Sequence, residues 1–105
     1  MTAFVYYGMD GQPLAREEAI RMMCSKEGNR VARDVRGDVT VSTVLLYLDH
    51  GWGDGPPVLF ETMIFGGEHD EYQERYCTLA EAKDGHARAY AAAFGTSTKE
   101  GEGDG

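Results

Sequence analysis

Val39-Thr40-Val41-Ser42-Thr43-Val44-Leu45-Leu46-Tyr47-Leu48-Asp49-His50 is the longest β-prone run in the chain, and how it pairs decides the fold. Its β-branched and aromatic residues suit a pleated, half-buried surface. Gly37-Asp38 places a tight turn between it and Val31–Arg36, so the two segments read as a hairpin. At about 3.3 Å per residue the run would reach roughly 40 Å if straight, so a bend or bulge is expected within it. Downstream, the glycine-rich Gly51-Trp52-Gly53-Asp54-Gly55-Pro56 leads into Pro57 and a further strand ending near Phe65. Pro57 fits the first residue of a strand because it has no N–H for the ladder. Gly66–Glu71 reads as an acidic loop, and Glu74–Cys77 as a last short strand. The last three strands are expected to form an antiparallel meander.

Upstream of this block, Phe4-Val5-Tyr6-Tyr7 is a short β-prone run closed by the turn residues Met9-Asp10-Gly11. A helix is expected from about Arg16 to Ser25, with Glu17 and Glu18 in its first turn, where the helix dipole favours anions. Ala19, Ile20, Met23 and Cys24 fall at helical spacing and are predicted to face the core. Gly28-Asn29 ends it. The second helix has the stronger boundaries. Thr78 and Glu81 make a capping-box pair, and Gly95 stands where a C′ glycine belongs after Phe94. Leu79, Ala82, His86, Ala89 and Ala93 share one face of it, with Tyr90 and Phe94 beside them. The expected fold is α+β, a mainly antiparallel four- to five-stranded sheet with two helices. It forms a single domain over residues 1–94, followed by a polar, glycine-rich tail over 95–105 that is expected to be flexible.

Alternation along the strands carries a further implication. Val39, Val41, Leu45 and Tyr47 fall on one face of the long run, and Val44, Leu46 and Leu48 on the other. Leu59, Met63 and Phe65 likewise oppose Val58, Phe60 and Ile64. A sheet with one wet face alternates apolar and polar residues, whereas here both faces are apolar. Two short helices leave little to cover the second face, and an exposed apolar face usually meets a partner. A homodimer or a protein-binding face is therefore expected. The alternative places the helices on opposite faces, which completes the monomer.

Bulk composition bounds the rest. A chain of 105 residues makes one domain. Hydrophobic residues at 42% and charged residues at 27% belong to an ordinary globular protein. With 18 acids against 10 bases the net charge is −8, and no lysine–arginine cluster stands ready for a phosphate backbone, so direct nucleic-acid binding is not expected. The acidic balance favours a basic partner surface. No apolar run approaches the roughly 20 residues that cross a bilayer, and Met1-Thr2-Ala3-Phe4 lacks the basic and apolar regions of a signal peptide. Cys24 and Cys77 are accordingly expected to be reduced thiols in a cytoplasm.

The run Val41–His50, the block Gly55-Pro56-Pro57-Val58-Leu59-Phe60-Glu61-Thr62-Met63-Ile64-Phe65-Gly66-Gly67, the ending Tyr72-Gln73-Glu74-Arg75-Tyr76-Cys77-Thr78 with Gly85-His86, and the entry Arg30-Val31-Ala32-Arg33 together resemble a family of small uncharacterised bacteriophage proteins. These are encoded largely by phages of actinobacteria and by related prophages. The resemblance covers about Val31 to Phe94. It implies a viral gene product acting in the cytoplasm of a bacterial host cell, and it brings no activity with it.

No stretch carries a known catalytic or metal-binding spacing, so candidate chemistry follows from topology. A meander gathers Asp49, His50, the Trp52 and Asp54 loop, Cys77 and the N-terminus of the second helix, at Thr78, at one end of the sheet. These are the candidate binding residues; none is assigned as catalytic or as a metal ligand, and no cofactor is implied. A Cys77 thiol at a helix start beside His50 would be activated as a nucleophile, whereas the plainer reading is a small packed side chain. Asp49-His50 lacks the further ligands zinc needs. Trp52 reads equally as a partner anchor or as a lid on the core. Glu61, inside an apolar strand, needs a partner, and His86 reads as a satisfied core histidine. Three functions compete: a phage accessory protein acting by protein contact as a homodimer or on a host factor, a small-ligand or nucleotide sequestering module, and a small thiol enzyme or hydrolase.

Overall fold

A computed structural model describes residues 5–51 and 55–95. Trp52, Asp54 and the tail beyond Gly95 lie outside the described residues, as do the first four. The fold is α+β, as expected. A four-stranded antiparallel sheet in sequential order holds β3 (Arg30–Arg36), β4 (Val39–Leu45), β5 (Phe60–Phe65) and β6 (Gln73–Tyr76). A separate two-stranded ladder joins β1 (Tyr6–Tyr7) to β2 (Pro13–Leu14), so the N-terminal run does not enter the main sheet. Helix α1 spans Arg16–Cys24 and α2 spans Leu79–Phe94. No helix among the described residues is long and apolar enough to cross a membrane.

The long run bends, as its length predicts. β4 stops at Leu45, and Tyr47 takes a left-handed φ of 70°. The ladder resumes around this kink, with the Leu46 N–H on the Leu59 carbonyl at 2.6 Å and the His50 N–H on the Val58 carbonyl at 2.9 Å. Turned aside in this way, the Tyr47 carbonyl receives the Tyr7 N–H at 2.8 Å and ties the N-terminal ladder to the sheet.

Helix α2 forms for local reasons and packs for long-range ones. Thr78 accepts from the Glu81 N–H while the Glu81 carboxylate takes the N–H groups of Cys77 and Thr78, each at 3.1 Å. Gly95 closes the helix with φ 87°. Ala82, Gly85, His86 and Ala89 form its buried stripe. They meet Val41, Thr43 and Leu45 of β4, Phe60, Thr62 and Ile64 of β5, and Tyr76 of β6, all buried. Gly85 sits so close to Tyr76 that a Cβ there would lie 2.0 Å from the phenol oxygen and 2.1 Å from Cζ. At the far end Arg36 stacks on Tyr90 and Phe94, its guanidinium 5.2 and 5.1 Å from the ring centroids.

Helix α1 departs from the expected orientation. Ala19 is its buried residue and Met22 packs against the core, while Ile20, Met23 and Cys24 are exposed. The inward stripe is rotated by about one residue from the predicted one. Five apolar residues in so short a helix wrap most of its circumference, and periodicity alone does not choose among them. Small Ala19 is the residue that permits close approach. The face assignment on the strands needs one correction as well: Leu59 is buried in the helix-side core with Phe60, not opposed to it, because β5 proper begins only at Phe60.

Candidate functional site

Strand register arranges the other face of the sheet in three rows, and among the described residues no helix packs on it. Arg30, Val44, Glu61 and Arg75 form the first row, Arg33, Ser42, Met63 and Gln73 the second, and Val35, Thr40 and Phe65 the third. Val35 and Phe65 are half exposed, at 50% and 48%. Glu61 is the buried exception. Its carboxylate is held by Gln73 and by the Arg75 guanidinium at 3.0 Å, so the partner its apolar strand demands comes from the neighbouring strand. Two threonine and serine hydroxyls, three arginines and four apolar side chains thus share an open surface.

The face under α2 has the opposite character. A continuous line of hydrogen bonds crosses its core. Asp34 on β3 bonds His86 Nε2 at 2.8 Å, His86 Nδ1 meets the Thr43 hydroxyl at 2.7 Å, and Thr43 meets Thr62 at 2.5 Å. Nearby, Tyr76 donates to Glu74 at 2.9 Å, and Glu74 receives Tyr72 and Arg88. Burial of Tyr76 pushes its phenol up to about 12, with the Glu74 carboxylate adding to the rise. The same contact, led by the Tyr76 hydroxyl, holds Glu74 below the usual carboxylate range.

Asp34, His86 and Thr43 stand in the order of an acid–base–nucleophile set. Thr43 is nevertheless fully buried, with its oxygen shared between His86 and Thr62. A nucleophile must reach a reacting atom, and this one faces only protein. The line satisfies buried polar groups, and both ring nitrogens of His86 are partnered, as a core histidine requires.

Of the sheet end named by the sequence, Asp49, His50, Cys77 and Thr78 are among the described residues. His50 pairs with Val58, and the Cys77 thiol points at the Pro56 carbonyl, 3.8 Å away. Each group there has a structural occupation. The Asp49 carboxylate takes the N–H groups of Gly51 and Val58, both at 2.8 Å, which lowers its pKa, with Val58 the larger cause. His50 Nδ1 bonds the Leu48 carbonyl at 2.8 Å, and His50 and Cys77 share no hydrogen bond. Thr78 caps α2. Trp52 and Asp54, which complete the candidate set, lie outside the described residues. Beside Cys77, a cleft of about 360 Å³ is lined by Arg75, Tyr76, Cys77, Glu81, Asp84 and Arg88, with both signs of charge on its walls. Just ahead of α2 the Glu81 carboxylate takes the N–H groups of Cys77 and Thr78, and so sets a negative charge at the helix start. Among the described residues no three metal-binding side chains converge. The chain has no match among protein-family models, curated proteins or solved structures.

The arginines that share the open face and the Asp34–His86–Thr43–Thr62 line are the features that residue-by-residue reading did not find. A signal for the second was present: Thr43 and Thr62 stand at inward positions of two strands, where alternation calls for apolar residues.

Proposed function

We propose that the chain is a small non-catalytic accessory protein that works by protein–protein contact through the open face of its four-stranded sheet. The observation that carries this reading is the asymmetry of the sheet: α2 covers one face, and Val35, Met63 and Phe65 remain on the other. Exposed apolar side chains grouped on one face and rimmed by polar ones are a common mark of a protein-binding surface. The phage-type resemblance supplies the setting, a bacterial host cytoplasm, in which that partner is a second copy or a host protein. A small-ligand reading has less support, because the Glu81 carboxylate already places a negative charge at the start of α2, where a bound anion would sit. A thiol-enzyme reading has less again, since the Cys77 thiol and the His50 ring bond backbone carbonyls and not each other.

A photoreactive residue at position 65, introduced in the full chain and illuminated in bacterial cells, tests the reading. Covalent protein adducts are expected from position 65 and not from position 83, which is exposed on α2. An absence of adducts from position 65 would remove the proposal.

A further inference from the structure

Charge is distributed on the open face unlike on the rest of the molecule. Three of the chain's ten bases, Arg30, Arg33 and Arg75, project there; Arg75 pairs with Glu61 at 3.0 Å and Arg30 with Glu27 at 3.4 Å, at the same end of the sheet. The surrounding chain carries the other acids. Along the strands the face is also polar in the electrical sense. Arg30 and Arg75 lie in the first row, whereas the third row is bordered by Asp38 in the β3–β4 turn and by Glu68, Asp70 and Glu71 in the β5–β6 loop. A Cβ on Gly66 would lie 2.2 Å from the Asp38 carbonyl oxygen, so these two acidic turns are held side by side.

Both edges of the sheet are protected against strand addition, but its face is not. β3 carries Arg30, Arg33 and Arg36 along its length, and β6 is only four residues long. Charged and short edge strands are the usual defences against pairing edge to edge. A second copy is thereby directed to the face.

Resting on the reading of that face as a docking surface, we infer that its occupant is a second copy of this chain, stacked face to face with its strands antiparallel. Two-fold stacking has two simple solutions. With the axis along the strands, Arg30 of one subunit lies over Arg75 of the other, and acidic turn lies over acidic turn, so the acidic ends of both copies meet. With the axis across the strands, β3 crosses β3 head to tail. Arg30 then faces the Asp38 turn of the other copy, and the first-row end, where Glu27 and Glu61 are already paired, faces the Glu68–Glu71 loop, twice over by symmetry. Both solutions bury the same apolar side chains, so charge selects the second. Its cost is one like pair, Arg33 against Arg33, at the solvated edge.

Four strands about 4.8 Å apart and three rows about 7 Å apart give a face of roughly 400 Å². A standard interface takes about 800 Å² per partner, so the dimer is weak and forms in the micromolar range or above.

Sedimentation equilibrium on the full chain, from about 10 μM to about 1 mM, tests the inference. A dimer that weakens with added salt is expected. Arg30→Glu and Asp38→Lys should each weaken association by about tenfold or more, and their equimolar mixture should restore it as a heterodimer, because each variant supplies the charge the other lacks. Arg33→Gln should tighten the dimer. All three positions are exposed, so folding is expected to survive, and thermal melts of each variant check it. A monomer at the highest concentration, or a mixture that associates no better than its components, would overturn the antiparallel dimer. Should the chain stay monomeric while position 65 still cross-links to another protein, the second copy is wrong and the docking face stands. Failure of both experiments removes both.

Discussion

The two faces of the one sheet are built to different specifications. Under α2 the central side chains are fitted to their neighbours: Gly85 against the Tyr76 ring, His86 between Asp34 and Thr43, Thr43 against Thr62. On the open face Val35 and Phe65 stand half in solvent, and the one buried acid is satisfied by the adjacent strand. Polar residues occur on both, so polarity does not separate structure from function here. What separates them is whether a substitution leaves something unpaired or crushed. The closed face fixes the fold; the open face is free to be used.

The largest expected break in that comparison is Gly85→Ala. The added methyl falls on the Tyr76 ring and is confined between α2 and the sheet, so unfolding free energy should drop by about 3 kcal/mol in urea titration. Thr43→Val comes next. It keeps the shape of the side chain but leaves His86 Nδ1 and the Thr62 hydroxyl without their partner, at a cost of about 2 kcal/mol.

Alkaline titration reads the same face without mutation. The Tyr76 phenol is raised from 10.0 to about 12 by burial, so the folded state holds this proton more tightly than the unfolded one. Its contribution is complete below pH 10 and is lost as pH rises from there towards 12. Thermal melts should therefore fall steeply across that window. The opposite sign applies to Glu74, whose depressed pKa adds stability at neutral pH that is lost as pH falls through its folded value.

Smallest in stability is the open face. Val35→Thr and Phe65→Thr should each change unfolding free energy by no more than about 0.5 kcal/mol, since both side chains are half exposed. The same pair of substitutions should abolish self-association in the sedimentation experiment. A large stability loss from either would show that the face is covered within the monomer.

How much of this was legible in the sequence follows from how local each feature is. The capping box at Thr78 and Glu81, the closing Gly95 and the Gly37-Asp38 hairpin need only a few neighbouring residues, and each occurs as read. The bend in the long run was legible from its length, but not that Tyr47 would adopt a left-handed conformation, which an aromatic residue rarely takes. Helix α1 was misoriented because Ile20 and Met23 are as apolar as Ala19 and Met22, and only contact with the rest of the fold distinguishes them. The link from His86 to Asp34 spans 52 positions of sequence and cannot be seen without the sheet register. Of the candidate sheet end, the meeting of His50 with Val58 and of Cys77 with Pro56 followed from the meander, while the backbone partners that occupy Asp49, His50 and Cys77 did not.

A dilution series followed by amide chemical shifts tests the central claim most directly, because it reports on both faces at once. Residues of the open rows, among them Val35, Val44, Met63 and Phe65, should move together with concentration, and those on the outer side of α2, such as Lys83 and Ala87, should stay still. Shifts confined to Ile20 and Met23 on α1, or no shifts at all, would contradict it.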